Sequence, residues 1–255
     1  MARTERTRAI LLRSVAYGES DRIVTLLTEA HGKVGLMARG ARKSQRRFAG
    51  ALEPYALLDA ELALGRTGLG RLAEARVIRA FPGILASLRR TFVAAAGLEL
   101  LRECVGEREP LDPRLMESAV RFFELAEAHE HDALRIAFTM RALGSVGLAP
   151  NLESCASCGR GVPSGQAALF DPARGSVVCR ACGGAPIKLR GGVREALLRA
   201  GTRAWDEVVT DEDRDAIAEE GARALEPFLA HHLSRPLSGP DALAQVRAHA
   251  TGAGG

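Results

Sequence analysis

The chain has 255 residues, 47% of them hydrophobic, a globular composition with enough apolar material for one large domain or, better, two or three small cores. Its 35 Lys and Arg nearly cancel its 31 Asp and Glu, but residues 1–50 hold 11 bases against 4 acids and the remainder 24 against 27, an asymmetry that points to a polyanionic partner, nucleic acid or an anionic membrane surface. Arg13 cuts the opening apolar run too short for a signal-peptide core, and no run approaches the roughly 18 apolar residues needed to span a bilayer, which implies a reducing cytoplasm where cysteines stay as thiols or metal thiolates.

Up to about residue 80 the hydrophobic pattern is strand-like. "RAILLRSVAY", "RIVTLLTE", "KVGLMARGA", "EPYALLDAELAL" and "GRLAEARVIRAF" are short segments rich in Val, Ile, Leu and Thr, separated by Gly-bearing turns near Gly32 and Gly65 to Gly70. Five such strands predict a small barrel. The OB type leads, because it leaves a face and loops free for oligonucleotides, and an SH3-like barrel fits nearly as well. Between the third and fourth strands, "ARGARKSQRRFAG" carries Arg39, Arg42, Lys43, Arg46 and Arg47 and no acid. On composition alone such a run is either a solvated face or a binding site for a polyanion. Phe48, set among these arginines, is read equally as a base-stacking side chain and as a core residue.

From residue 82 the period becomes helical. Phe92, Val93, Ala96, Leu100, Leu101 and Cys104 recur at spacings of three and four, which makes Cys104 a buried core thiol. Asp112 and Pro113 have the chemistry of an N-cap and a first helical residue. A third helix is expected from Asp132 to about Val146. Farther on, Thr210 to Asp213 resembles a capping box, with a helix following through "AIAEEGARAL" and a kink or restart at Pro227. His231 and His232 are adjacent and so point in different directions, reading as helix-end residues and not as a metal pair. The Gly-rich tail is expected to be disordered.

The most specific motif lies between the helical stretches. Cys155 and Cys158 form one CxxC hook and Cys179 and Cys182 another, twenty residues apart, the arrangement of four-cysteine zinc sites. Free thiols, a redox pair or another metal are the alternatives. With sulfur at all four positions such a zinc has no open site for catalysis, and its net charge of −2 could be offset by Arg160, Arg180 and nearby amides. Lys188, Arg190, Arg194, Arg199 and Arg203 follow this element and read either as surface charges or as an extension of a cationic track.

Catalytic patterns are missing. Lys33 in "HGKVG" lacks the glycine and hydroxyl residues of a phosphate-binding loop, and "GLGRLA" joins two strands without opening a helix. No nucleophile elbow or HExxH helix occurs.

Three stretches carry a family resemblance: "YGESDRIVTLLTEAHGKVGLMARGARKSQRRFAGALEPY" with "LLDAELALGRTGLGRLAEARVIRAF", the cysteine segments "CASCGR" and "LFDPARGSVVCRAC", and "FLAHHLSRPLS". In that order they resemble the RecO family of bacterial DNA repair proteins, from about residue 5 to 240. The resemblance implies a multidomain α+β protein. An OB-fold DNA-binding domain is expected at 1–81, a helical domain at 82–149 and 187–245, a zinc-binding insertion at 150–186 and a disordered tail at 246–255. It further implies a cytoplasmic, nucleoid-associated protein without a catalytic centre. Its implied partners are single- and double-stranded DNA, RecR, the single-strand-binding protein and, indirectly, RecA, with no membrane and no small-molecule substrate. Such proteins anneal complementary strands and help RecA replace the single-strand-binding protein. On this reading Lys33, Arg39, Arg42, Lys43, Arg46 and Arg47 contact DNA, and Cys155, Cys158, Cys179 and Cys182 hold one structural Zn2+. A zinc-bearing enzyme and a zinc-ribbon adaptor that binds protein more than DNA are the competing classes.

Overall fold

The structure is a computed structural model that describes residues 4–44, 46–202, 204–210, 212–233 and 237. The chain forms two compact units, one of residues 1–87 and 104–128, the other of residues 88–103 and 129–255.

The first unit is built on five strands, β1 (Glu5–Tyr17), β2 (Asp21–Thr28), β3 (Gly32–Ala38), β4 (Ala56–Ala63) and β5 (Gly70–Ala80). They close as β1-β2-β3-β5-β4. All neighbours are antiparallel except β3 and β5, which run parallel through Leu36↔Gly70 and Met37↔Arg71. This is the expected five-stranded OB-type barrel. Alternation along the strands sends Val24, Leu26, Val34, Leu36, Leu58, Leu62 and Leu72 inward to one core.

The same unit takes in a helix that the sequence reading assigned elsewhere. After α1 (Leu88–Cys104), the helix α2 (Pro113–Ala128) groups with the barrel. Phe123 of α2 lies 6.0 Å from the Tyr55 ring and 5.8 Å from that of Phe81, and Arg79 pairs with Glu124. The connecting segment is also tied to the barrel. Arg108 donates to the carbonyls of Gly65 and Gly68, and Gly32, at φ +60°, packs so closely that a Cβ would lie 2.1 Å from the Glu109 carbonyl oxygen. Asp112 and Pro113 start α2 as expected, the Asp112 carboxylate accepting the Arg114 amide at 3.0 Å.

In the second unit, α1, α3 (Ala133–Ser145), α4 (Gly191–Ala200), α5 (Trp205–Thr210) and α6 (Arg214–His232) accompany a four-stranded sheet. That sheet, of order β6-β8-β7-β9, was not foreseen; its strands are β6 (Asn151–Cys155), β7 (Ala168–Asp171), β8 (Ser176–Val177) and β9 (Ile187–Leu189). Three expectations need correction here. Cys104 is half-buried and not a core thiol. Thr210 ends α5, its hydroxyl donating to the Asp206 carbonyl, so it does not cap α6, whose cap residue is Asp213. And α6 runs on through Pro227 without restarting. Residues 246–255 lie outside the described residues. No helix among the described residues is long and apolar enough to cross a membrane.

Candidate nucleic-acid interface and metal centre

The loop after β3 is held to the tip of the β1–β2 hairpin. The Asp21 carboxylate accepts the Gly40 amide at 2.8 Å, a bond that, with one from Ser20 and the nearby charge of Arg39, holds its carboxyl below the usual range. The Arg42 amide donates to the Ser20 carbonyl, and its guanidinium to those of Gly18 and Glu19. Farther along, the Arg47 guanidinium donates to the Arg39 carbonyl at 2.8 Å, and the Arg47 carbonyl accepts the Ala75 amide at 2.9 Å. The loop is thus pinned at both ends while Arg39, Arg42, Lys43, Arg46 and Arg47 all remain exposed. Among the described residues none of the five forms an ion pair. Several other barrel cations are matched: Arg6 reaches Asp59, Glu61 and Glu74, Arg8 reaches Glu29, and Arg76 reaches Glu74.

Lys33 stands apart from this cluster. It lies half-buried at the start of β3 while Arg39 follows its end, and six residues of strand separate them by roughly 20 Å.

Phe48 is only 3% exposed and belongs to the barrel core, with the Arg47 guanidinium 5.1 Å from its ring, so it is not available to a base. The aromatic that is available is Tyr17, 55% exposed at the end of β1 and next in sequence to Gly18, whose carbonyl holds Arg42. The signal for Tyr17 was its place beside a Gly-bearing hairpin turn, where a strand outruns its neighbour: β1 pairs with β4 only as far as Ile10.

In the second unit the four cysteine sulfurs lie within 4.8 Å of one another, with Cys158 and Cys179 3.8 Å apart. A tetrahedral ion with metal–sulfur bonds of ~2.3 Å sets its sulfurs about 3.8 Å apart, so the cluster fits one metal ion. Each hook closes on a glycine in the left-handed region: the amide of Gly159 donates to the Cys155 carbonyl and that of Gly184 to the Cys179 carbonyl, turns that glycine makes without steric cost. The amides of Cys179, Cys158 and Ser157 point at the Cys155 sulfur and lower its pKa to about 6. Cys182 is pushed up to about 12 by its hydrogen bonds to Cys179 and Cys158, by burial and by the charge at Cys155. Four thiolates cannot share this space without a cation among them.

The basic residues that follow fall into different roles. Arg194 is 2% exposed, so it is neither a surface charge nor part of a track. From α4 its guanidinium reaches the carbonyls of Leu152, Gln166 and Pro163 at 3.0, 3.1 and 2.7 Å, fastening the cysteine module to the helix. Replacing Arg194 by Met removes a buried donor from three carbonyls, of which that of Pro163 keeps the Gln166 amide, and should cost about 3 kcal/mol; a melting temperature within a degree of the native value would count against that role. Arg190 pairs with Glu220 and Arg199 with Glu195, while Lys188 is exposed. Arg203 lies outside the described residues. His232, at the end of α6 as expected, meets the Pro172 carbonyl at 3.1 Å.

These features define a class: a multidomain protein with an OB-type barrel, helices and a four-cysteine module able to hold a metal ion. Residues 1–81 match the family Recombination protein O N terminal, and residues 85–240 match Recombination protein O C terminal. The chain is 41% identical over 236 residues to the DNA repair protein RecO of Anaeromyxobacter sp. (strain K), covering 90% of this chain and 91% of the relative. It is 39% identical over 241 residues to that of Myxococcus xanthus, covering 93% and 96%. The chain belongs to the RecO family of DNA repair proteins.

Proposed function

We propose that this chain is a non-enzymatic recombination mediator. It binds single- and double-stranded DNA without sequence preference, anneals complementary strands and, with RecR, helps load RecA onto DNA coated by single-strand-binding protein. On this reading it works in the cytoplasm at the nucleoid. The observation that carries the proposal is the pinned loop of five exposed cations on an OB-type barrel, without ion pairs among the described residues. Such a surface neutralises phosphates irrespective of sequence. A cationic surface that holds two strands also lowers their mutual repulsion, so annealing needs no covalent chemistry. The metal is zinc, closed off by four sulfurs and structural in role.

The test is annealing of complementary oligonucleotides coated with single-strand-binding protein, native against a variant with Arg42, Lys43, Arg46 and Arg47 all changed to Glu. Equal annealing by the folded variant would refute the reading. A nucleotide or NAD that raises the melting temperature where DNA does not would favour an enzyme instead.

Stacking and charge can be separated in the same protein. Tyr17→Ala should weaken single-strand binding about tenfold with the salt dependence unchanged, since stacking releases no counterions, and Tyr17→Phe should bind like the native chain. A changed salt slope in Tyr17→Ala would mean that Tyr17 acts only by shaping the loop.

A further inference from the structure

The cysteine module carries a cavity of about 520 Å³ whose lining is aliphatic and cationic at once. Val162, Leu169 and Val178 contribute apolar surface, Arg160, Arg180 and Lys188 contribute charge, and no carboxylate lines it. The three cations are exposed, and none forms an ion pair among the described residues. Their backbone is fixed. The Arg160 carbonyl accepts the Cys155 amide and the Arg180 carbonyl the Gly183 amide, so each arginine stands on a cysteine hook, while Lys188 is paired in register with Leu169 across β7 and β9. The two arginines also lie where they would offset the net charge of a four-thiolate centre. That role accounts for neither Lys188 nor the aliphatic hollow between the cations.

The cavity has the size of a small-ligand site and the charge of an anion site. We propose that it is a second contact for single-stranded DNA, seating one base against the aliphatic lining while Arg160, Arg180 and Lys188 bind the flanking phosphates. A strand presents that alternation, a phosphate on either side of every base. The proposal rests on the reading of the chain as a DNA-binding mediator, but it lies in the other compact unit from the barrel loop and so stands on separate residues. One chain would then have a place for each of two strands.

The test uses the full chain with the barrel loop reversed (Arg42, Lys43, Arg46 and Arg47 to Glu), so that the second contact is read alone. This variant should retain weak binding to a short oligothymidylate. Adding Arg160→Gln, Arg180→Gln and Lys188→Gln should reduce it at least about tenfold and flatten the salt slope by about 1.4, at roughly 0.7 for each of the two flanking phosphates. An oligonucleotide with abasic sites should bind about tenfold more weakly than one with bases. Metal content is measured in both preparations, and, should the triple change release metal, cross-linking of the native protein to an iodouracil-substituted strand decides, with adducts expected within residues 160–188. Unchanged binding by the triple variant, equal binding of the abasic strand, or adducts confined to the barrel unit overturns the proposal. So does an acidic peptide that occupies the cavity without being displaced by DNA. If the reversed loop binds as well as native protein and only the triple change abolishes binding, the loop reading fails and this one stands; if neither change matters, both fail.

Discussion

Reversing Arg42, Lys43, Arg46 and Arg47 to Glu should raise the dissociation constant for single-stranded DNA by about a hundredfold or more near physiological salt. If all five loop cations, Arg39 included, neutralise phosphates in the native protein, log K for the loop falls against log salt with a slope near −3.5, about 0.7 per contact, and losing four of them leaves a slope near −0.7. The loop geometry makes the experiment interpretable. The main bonds that fix the loop's course run through the Asp21 carboxylate and through backbone groups of Ser20, Gly40, Arg47 and Ala75, none of which the substitutions replace. The side-chain bonds of Arg42 to Gly18 and Glu19 and of Arg47 to Arg39 are lost, so unchanged barrel melting must accompany the binding measurement. A folded variant that keeps the native slope would place the phosphate contacts elsewhere.

Removing the metal should have the largest effect on stability. Structural zinc contributes on the order of 10 kcal/mol in small zinc-binding peptides, and it closes a module whose own apolar core is small, with Leu152, Phe170, Val177 and Leu189 buried. Chelation, or paired Cys158→Ser and Cys182→Ser substitutions, should open residues 151–189 to protease and hydrogen exchange while the barrel keeps its protection. Because Arg194 joins α4 to carbonyls of the module at Leu152, Pro163 and Gln166, the loosening should reach α4 as well. Native protease resistance after verified metal removal would exclude a structural metal.

Much of this was legible in the chain itself. Alternating Val, Ile and Leu punctuated by turn glycines marked all five barrel strands, and two CxxC hooks brought four sulfurs together as their spacing required. Elsewhere local patterns left the answer open. Phe48 among arginines looks the same in sequence whether its ring faces solvent or core, and only the packed barrel puts it at 3% exposure. Arg194 could not be told from its exposed neighbours, because a fully buried arginine is rare and its three acceptors come from 28 to 42 residues away. The sheet of the cysteine module escaped notice because strands of two to five residues are too short to show a period. The grouping of α2 with the barrel was invisible for another reason: an amphipathic helix declares that it has a partner, not which one.

That grouping bears on how the protein is made. Phe81 closes the barrel sequence, but the helix whose Phe123 covers Tyr55 and Phe81 ends at Ala128, so the 47 residues that follow Phe81 must be synthesised first. At roughly 5–20 residues per second this is a delay of about 2–9 s. Through that interval the nascent barrel carries an uncovered aromatic face, the kind of surface a chaperone holds, and a gene truncated after the fifth strand would leave it uncovered for good.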